Sequence, residues 1–199
     1  MHPSPAFRWD DRAALRTFAA AIGFGALFVQ TPDGPRVAHL PFVQPEDDRF
    51  LFHIARNNAL APHLAGSTAL LVVQGPDSYV SPDHYGLPNQ VPTWNYLAAE
   101  FEGPVSRLDD AGLLAQIDAL SAQEEARLAP KTPWTRDQTD PAVMDRLLAG
   151  IWGFELRVTL WRGTAKLSQN KPEEVRLRTA DALAAQGQTA LADLMRHLP

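Results

Sequence analysis

Two short stretches of the chain crowd cationic and amide side chains together: Arg56-Asn57-Asn58, and Lys166 to Lys171 with the sequence KLSQNK. Arg56 follows an apolar run, RFLFHIA (49–55), and precedes a short helical pattern. Its planar guanidinium and the free N–H groups of a helix start are therefore suited to grip an anion such as a phosphate. The plainer reading is a solvated arginine beside a helix cap at Asn57 or Asn58, and spacing alone leaves both open. KLSQNK sets Lys166 and Lys171 around Ser168, Gln169 and Asn170, side chains that both donate and accept. The stretch fits an anionic or carbonyl-bearing ligand, or else a polar turn. A third stretch, VPTWNY (91–96), opens with Pro92, after which strand alternation sends Trp94 and Tyr96 to one face and Thr93 and Asn95 to the other. It reads as core packing or as the wall of a site for a flat ligand.

Other chemistries find little support. The chain has no cysteine, which removes disulfides, thiolate metal sites and cysteine nucleophiles. His39, His53, His63 and His84 show no HExxH-like spacing, so no metal site is expected. Asp83-His84 near Ser78 and Ser81 lacks the GxSxG elbow of a hydrolase. With 18 Lys+Arg against 23 Asp+Glu the formal charge is −5, and the bases are interspersed with acids. Direct DNA binding, which draws on phosphate attraction, is therefore not expected. No run approaches the roughly 18 to 20 apolar residues of a membrane helix. The N-terminal run carries acids and no apolar core, so neither a membrane span nor a secretory signal is expected, and a cytoplasmic location is.

These stretches need elements to hold them. The 199 residues, 45% hydrophobic, suit one domain over 1–199. Ala14, Leu15, Phe18, Ala19 and Ile22 recur at helical spacing behind Asp10 or Asp11 as cap. FGALFVQ (24–30) and VAHLPFV (37–43) form a predicted hairpin around Pro32-Asp33-Gly34. The polar QPEDD (44–48) leads to RFLFHIA, apolar on both faces and so a central strand. NNALAPHLAG (57–66) predicts a short helix, TALLVVQ (68–74) a strand, and the proline-rich 75–92 a loop. TWNYLAAEFEG (93–103) resumes a strand, and 109–128 predicts a helix with acids near its start. A connection leads to GFELRVTLWRG (153–163), which alternates cleanly as one strand. TAKLSQN begins as a turn or bulge, and two short helices parted near Gly187 end the chain. Many short strands joined by turns argue for a mainly β fold, an antiparallel barrel or curved sheet with peripheral helices.

Together HLPF (39–42), HIARNN (53–58), QGPDSYVSPDHY (74–85) with VPTWNY, and KLSQNK resemble the PaiB-like proteins, described as FMN-binding negative transcriptional regulators. The resemblance covers nearly the whole chain. It implies an antiparallel split β-barrel related to the pyridoxamine-phosphate-oxidase-like flavoproteins, a homodimer, and FMN at the subunit interface. It implies cofactor contacts from His39, Leu40, Pro41, Ala55, Arg56, Asn57, Asn58, Trp94, Asn95, Lys166, Gln169 and Asn170, with Arg56 first for the phosphate. Two positions depart from the family's usual pattern: Ala59 stands in place of a proline, and Glu100 in place of a histidine. Three functions compete: a regulator acting through flavin rather than direct DNA contact, a flavin-dependent oxidoreductase, and a haem-binding protein of the same barrel class. No acid–base pair or nicotinamide fingerprint is evident, which favours binding over turnover.

Overall fold

A computed structural model describes residues 2–46 and 48–199. The QPEDD connection is thus followed except at Asp47. Seven strands form one mainly antiparallel sheet: β1 (Phe24–Thr31), β2 (Gly34–Glu46), β3 (Arg49–Ala55), β4 (Thr68–Val80), β5 (Thr93–Arg107), β6 (Ile151–Arg157) and β7 (Leu160–Lys166). Their order is β4-β1-β2-β3-β6-β5-β7, with β4 also pairing β5. Helices α1 (Arg12–Ile22), α2 (Ala61–Leu64), α3 (Asp110–Ala126), α4 (Pro141–Leu148), α5 (Glu173–Ala185) and α6 (Thr189–Arg196) complete the chain. No described helix is long and apolar enough to cross a membrane.

The chain forms two compact units. One comprises Met1–Thr17, Val73–Glu100 and Arg162–Pro199; the other comprises Phe18–Val72 and Phe101–Trp161. In the second unit, β1 and β2 make the predicted hairpin, with Thr31 opposite Gly34 and a two-residue turn between them. Gly34 sits at φ 102°, a conformation open to glycine and strained for other residues. β3 lies between β2 and β6, as its doubly apolar pattern requires, and its core is aromatic. Phe50 meets Phe42 at 5.1 Å and Phe101 at 4.7 Å between ring centroids, and Phe52 stacks on Phe154 at 5.7 Å. Each such pair adds about 0.5–1.5 kcal/mol to the area it buries. In the first unit, Leu97, Ala99 and Leu167 are buried with Val175, Leu183 and Met195 of the two final helices.

Several boundaries differ from the sequence reading. The proline-rich stretch after residue 74 continues β4 as far as Val80, because pairing overrides the turn propensity of Gly75-Pro76-Asp77. The helix expected over 57–66 is only Ala61–Leu64: Asn58 Oδ1 accepts the Leu60 N–H at 2.9 Å, a local turn that competes with helix. GFELRVTLWRG is two strands rather than one. Val158 and Thr159 donate their N–H groups to the Asp48 and Glu102 carbonyls, which breaks the alternation, and Leu160 is exposed. The Thr164-Ala165-Lys166 stretch lies inside β7, so the turn begins later. Helix α4 falls in the connection expected ahead of GFELRVTLWRG; Asp140 caps it by accepting from the N–H groups of Ala142 and Val143, and Pro141 opens it. That Asp-Pro pair is a readable helix start. Asp11, of the two candidate caps, is the one used for α1: its carboxylate accepts from Ala13 N–H at 2.9 Å and Ala14 N–H at 3.0 Å.

Candidate functional site

The residues expected to contact a cofactor fall into two clusters, one in each unit. In the second unit, β2 carries His39, exposed, Leu40, buried in the core, and Pro41, half-buried. The neighbouring β3 ends at exposed Ala55, and the chain turns through Arg56, Asn57 and Asn58. Arg56 is fixed at its root. Its N–H donates to the Gly150 carbonyl at 2.9 Å and its Nε to the Ile151 carbonyl at 3.1 Å. The guanidinium lies 5.7 Å from the centre of the Trp152 ring, and Arg107, at the end of β5, lies over the same ring at 4.2 Å. Neither arginine pairs with a carboxylate among the described residues, so one indole collects two guanidiniums with free N–H donors. Asp110 and Asp145 share a hollow of about 310 Å³ with Arg56 and temper the local positive potential. Asn57 is exposed, whereas Asn58 is occupied by its turn. Arg107 and Trp152 carry no motif. They meet Arg56 only because β3, β5 and β6 are neighbours in the sheet.

In the first unit, β5 and β7 bring the VPTWNY and KLSQNK stretches together. Alternation along β5 places Asn95 inward at 1% exposure and leaves Trp94 outward at 50%. The Trp94 indole N–H donates to Asp77 at 2.8 Å, and its ring meets Tyr79 edge-on. Asn95 Nδ2 donates to Ser168 Oγ at 2.9 Å and reaches the Met195 sulfur at 3.5 Å, while Asn95 Oδ1 is buried without a partner. Ser168 has φ 61°, a left-handed conformation that costs a serine about 1–3 kcal/mol and carries its hydroxyl to Asn95. Lys166 Nζ donates to Thr93 Oγ1 and to the Trp94 carbonyl, and burial holds its ammonium below the usual lysine pKa. Lys171 Nζ donates to Gln90 Oε1 at 2.6 Å and stands 4.9 Å from the Tyr85 ring centre. Burial pushes the Tyr85 phenol above its ordinary 10.0, with a hydrogen bond from Ser168 acting the other way, so Tyr85 stays a donor at neutral pH.

Tyr85, Thr93, Asn95, Lys166, Ser168 and Lys171 line a cavity of about 220 Å³ with Asn170, and Trp94 is not among its lining residues. Gln169 is differently employed: its amide donates to the Ala6 and Ala165 carbonyls and accepts from Leu167 N–H, so it ties the turn. Tyr85 is the member that sequence reading missed, since it sat in a segment read as loop. Among the described residues, no group of His, Asp and Glu side chains, His39, His53, His63 and His84 included, is arranged to hold a metal ion.

The chain is 29% identical over 171 residues to the "Protease synthase and sporulation protein PAI 2" of Bacillus subtilis (strain 168), covering 84% of this chain and 81% of that one. Its fold resembles the FAD and heme binding protein of Mycobacterium smegmatis, with a TM-score of 0.59 and 18% identity over 80% of this chain and 73% of that one. It also resembles the flavocytochrome Anf3 of Azotobacter vinelandii, with a TM-score of 0.57 and 16% identity over 83% of this chain and 72% of that one. The family described as "Putative FMN-binding domain" matches residues 1–160, which include the Arg56 cluster and Thr93 to Asn95 and stop short of KLSQNK. A family match over four-fifths of the sequence, with the likeness to PAI 2 beside it, is decisive: the chain belongs to the family described as "Putative FMN-binding domain".

Proposed function

We propose that the protein binds FMN and that Arg56 and Arg107 hold its phosphate. The observation that carries this reading is the pair of guanidiniums over Trp152, free of carboxylate partners and lying within the segment that matches the FMN-binding family. Charge-assisted contacts to an FMN phosphate are worth about 1.5–3 kcal/mol each, enough to orient a dianion at an exposed site. When bound, FMN supplies a reversible two-electron acceptor; this chain's own residues bind and orient it. The proposed activity is flavin-dependent regulation without direct DNA contact. Helix α3 supports this: Asp118 forks with Arg136 at 2.9 Å, and Arg127 donates to the Ala20 carbonyl, which leaves α3 no free cationic face for a phosphate backbone. A homodimer, a single domain and a cytoplasmic location complete the proposal.

The test is titration of the purified chain with FMN, followed by quenching of flavin fluorescence and by absorption. Saturation at one FMN per chain is the expected result. A Soret band in the purified protein with no uptake of FMN would replace the reading with haem binding.

A further inference from the structure

We propose that the hollow between α3 and the segment 133–148 takes an organic cation with an apolar body, an arylalkylamine. The site lies wholly within the second unit, and the inference does not rest on the FMN reading.

A surface helix ordinarily buries its apolar stripe against the body of the protein. Helix α4 has no buried residue: its Met144 and Leu148, both half-buried, line a cavity of about 680 Å³ together with half-buried Leu114 of α3 and Trp134 of the connection. Packed interiors hold few voids larger than a water molecule, whereas ligand cavities run to about 300–1,000 Å³. The rim is tied in place while the middle stays open. Asp118 and Glu125 stand about two turns apart on one face of α3. Asp118 accepts from Arg136 Nε and Nη2 at 2.9 Å each, and Glu125 accepts from the Trp134 N–H at 2.9 Å and from Lys131 Nζ. Two carboxylates thus hold the connection to the helix, and the cavity exists before any guest arrives.

Charge selects the guest. The lining sets Asp118, Asp137 and Asp145 against Arg136 alone. Asp118 already answers the Arg136 charge, Asp137 accepts from the Thr135 hydroxyl, and the Asp145 carboxylate has no partner among the described residues. An anion, a flavin phosphate included, would meet these carboxylates with no unspent cation to receive it. An ammonium pairs with Asp145, its apolar stem covers Leu114, Met144 and Leu148, and the indole of Trp134 is the side chain on which organic cations settle best.

Calorimetric titration of the full chain with 4-phenylbutylamine, 4-phenylbutanol and 4-phenylbutyrate, one apolar body with three head groups, tests the assignment. The amine should bind about 10-fold or more tightly than the alcohol, and the carboxylate should bind weakest. Asp145 is exposed, so Asp145→Asn should keep native circular dichroism and bring the amine down to the affinity of the alcohol. Met144→Lys, which plants a tethered ammonium among the same carboxylates, should abolish amine binding, and it decides the matter if Asp145→Asn fails to fold. Equal affinities for amine and alcohol, tightest binding of the carboxylate, no binding of the amine at millimolar concentration, or amine binding unchanged in either folded variant would overturn the proposal. FMN uptake by the unaltered chain is read separately and stands or falls without it.

Discussion

Arg56 and Lys166 are both cations in a predicted site, yet their surroundings ask different things of them. Arg56 is exposed with its root pinned to two carbonyls, so replacing it removes donors and leaves the sheet intact. Arg56→Ala should weaken FMN binding by about 10- to 150-fold, the equivalent of 1.5–3 kcal/mol, while riboflavin, which lacks the phosphate, should lose little. Equal losses for the two ligands would place the phosphate elsewhere. Lys166 is partly buried, and burial lowers its pKa. Between that lowered native value and the ordinary 10.5, the unfolded chain binds more protons than the folded one, so stability rises with pH across this window. Urea unfolding from neutral pH toward 10.5 should show the rise, and Lys166→Met should flatten it. A Lys166→Met protein that keeps the full rise would assign the proton to another group.

At the scale of elements, the close approach of β5 to the end of β6 depends on one missing side chain. A Cβ built on Gly103 would stand 1.9 Å from the Arg157 carbonyl oxygen, a backbone atom with no freedom to yield. Gly103→Ala should therefore cost about 1–3 kcal/mol or more, with each kcal/mol lowering the melting temperature by about 2–4 °C in a chain of this size. Thermal unfolding monitored by circular dichroism gives the value directly, and an unchanged midpoint would mean that the strands separate at little cost. At the same place GFELRVTLWRG splits into β6 and β7. Residues 158–159 give their N–H groups to Asp48 and Glu102 instead of continuing a ladder.

At the scale of the whole molecule, the first unit leaves Val91 at 73% exposure and Trp94 at 50%, with Tyr79 and Leu87 also in water. Apolar surface of this kind usually meets a partner, so light scattering at micromolar concentration should report about twice 21.9 kDa, and a monomer that still binds flavin would defeat the homodimer. Anisotropy measurements at about 150 mM salt, with and without FMN, should detect no sequence-specific binding to DNA from upstream of the protein's own coding region; nanomolar binding that resists competitor would reverse that expectation. Most of this protein is local enough to be read from its residues alone. The doubly apolar run of β3 set its central place, alternation set the faces of β5, Pro32-Asp33-Gly34 set the hairpin, and HIARNN and KLSQNK marked both clusters, because strand period, turn chemistry and motif spacing act over a few positions. Tertiary structure decided the rest. Arg107 and Trp152 join Arg56 across 50 and more residues, Asn95 acquires its unpaired oxygen only when Met195 covers its nitrogen, and Gln169 is withdrawn to the Ala6 carbonyl. In each case the partner is distant in sequence, and burial fixes which hydrogen bonds remain to be made.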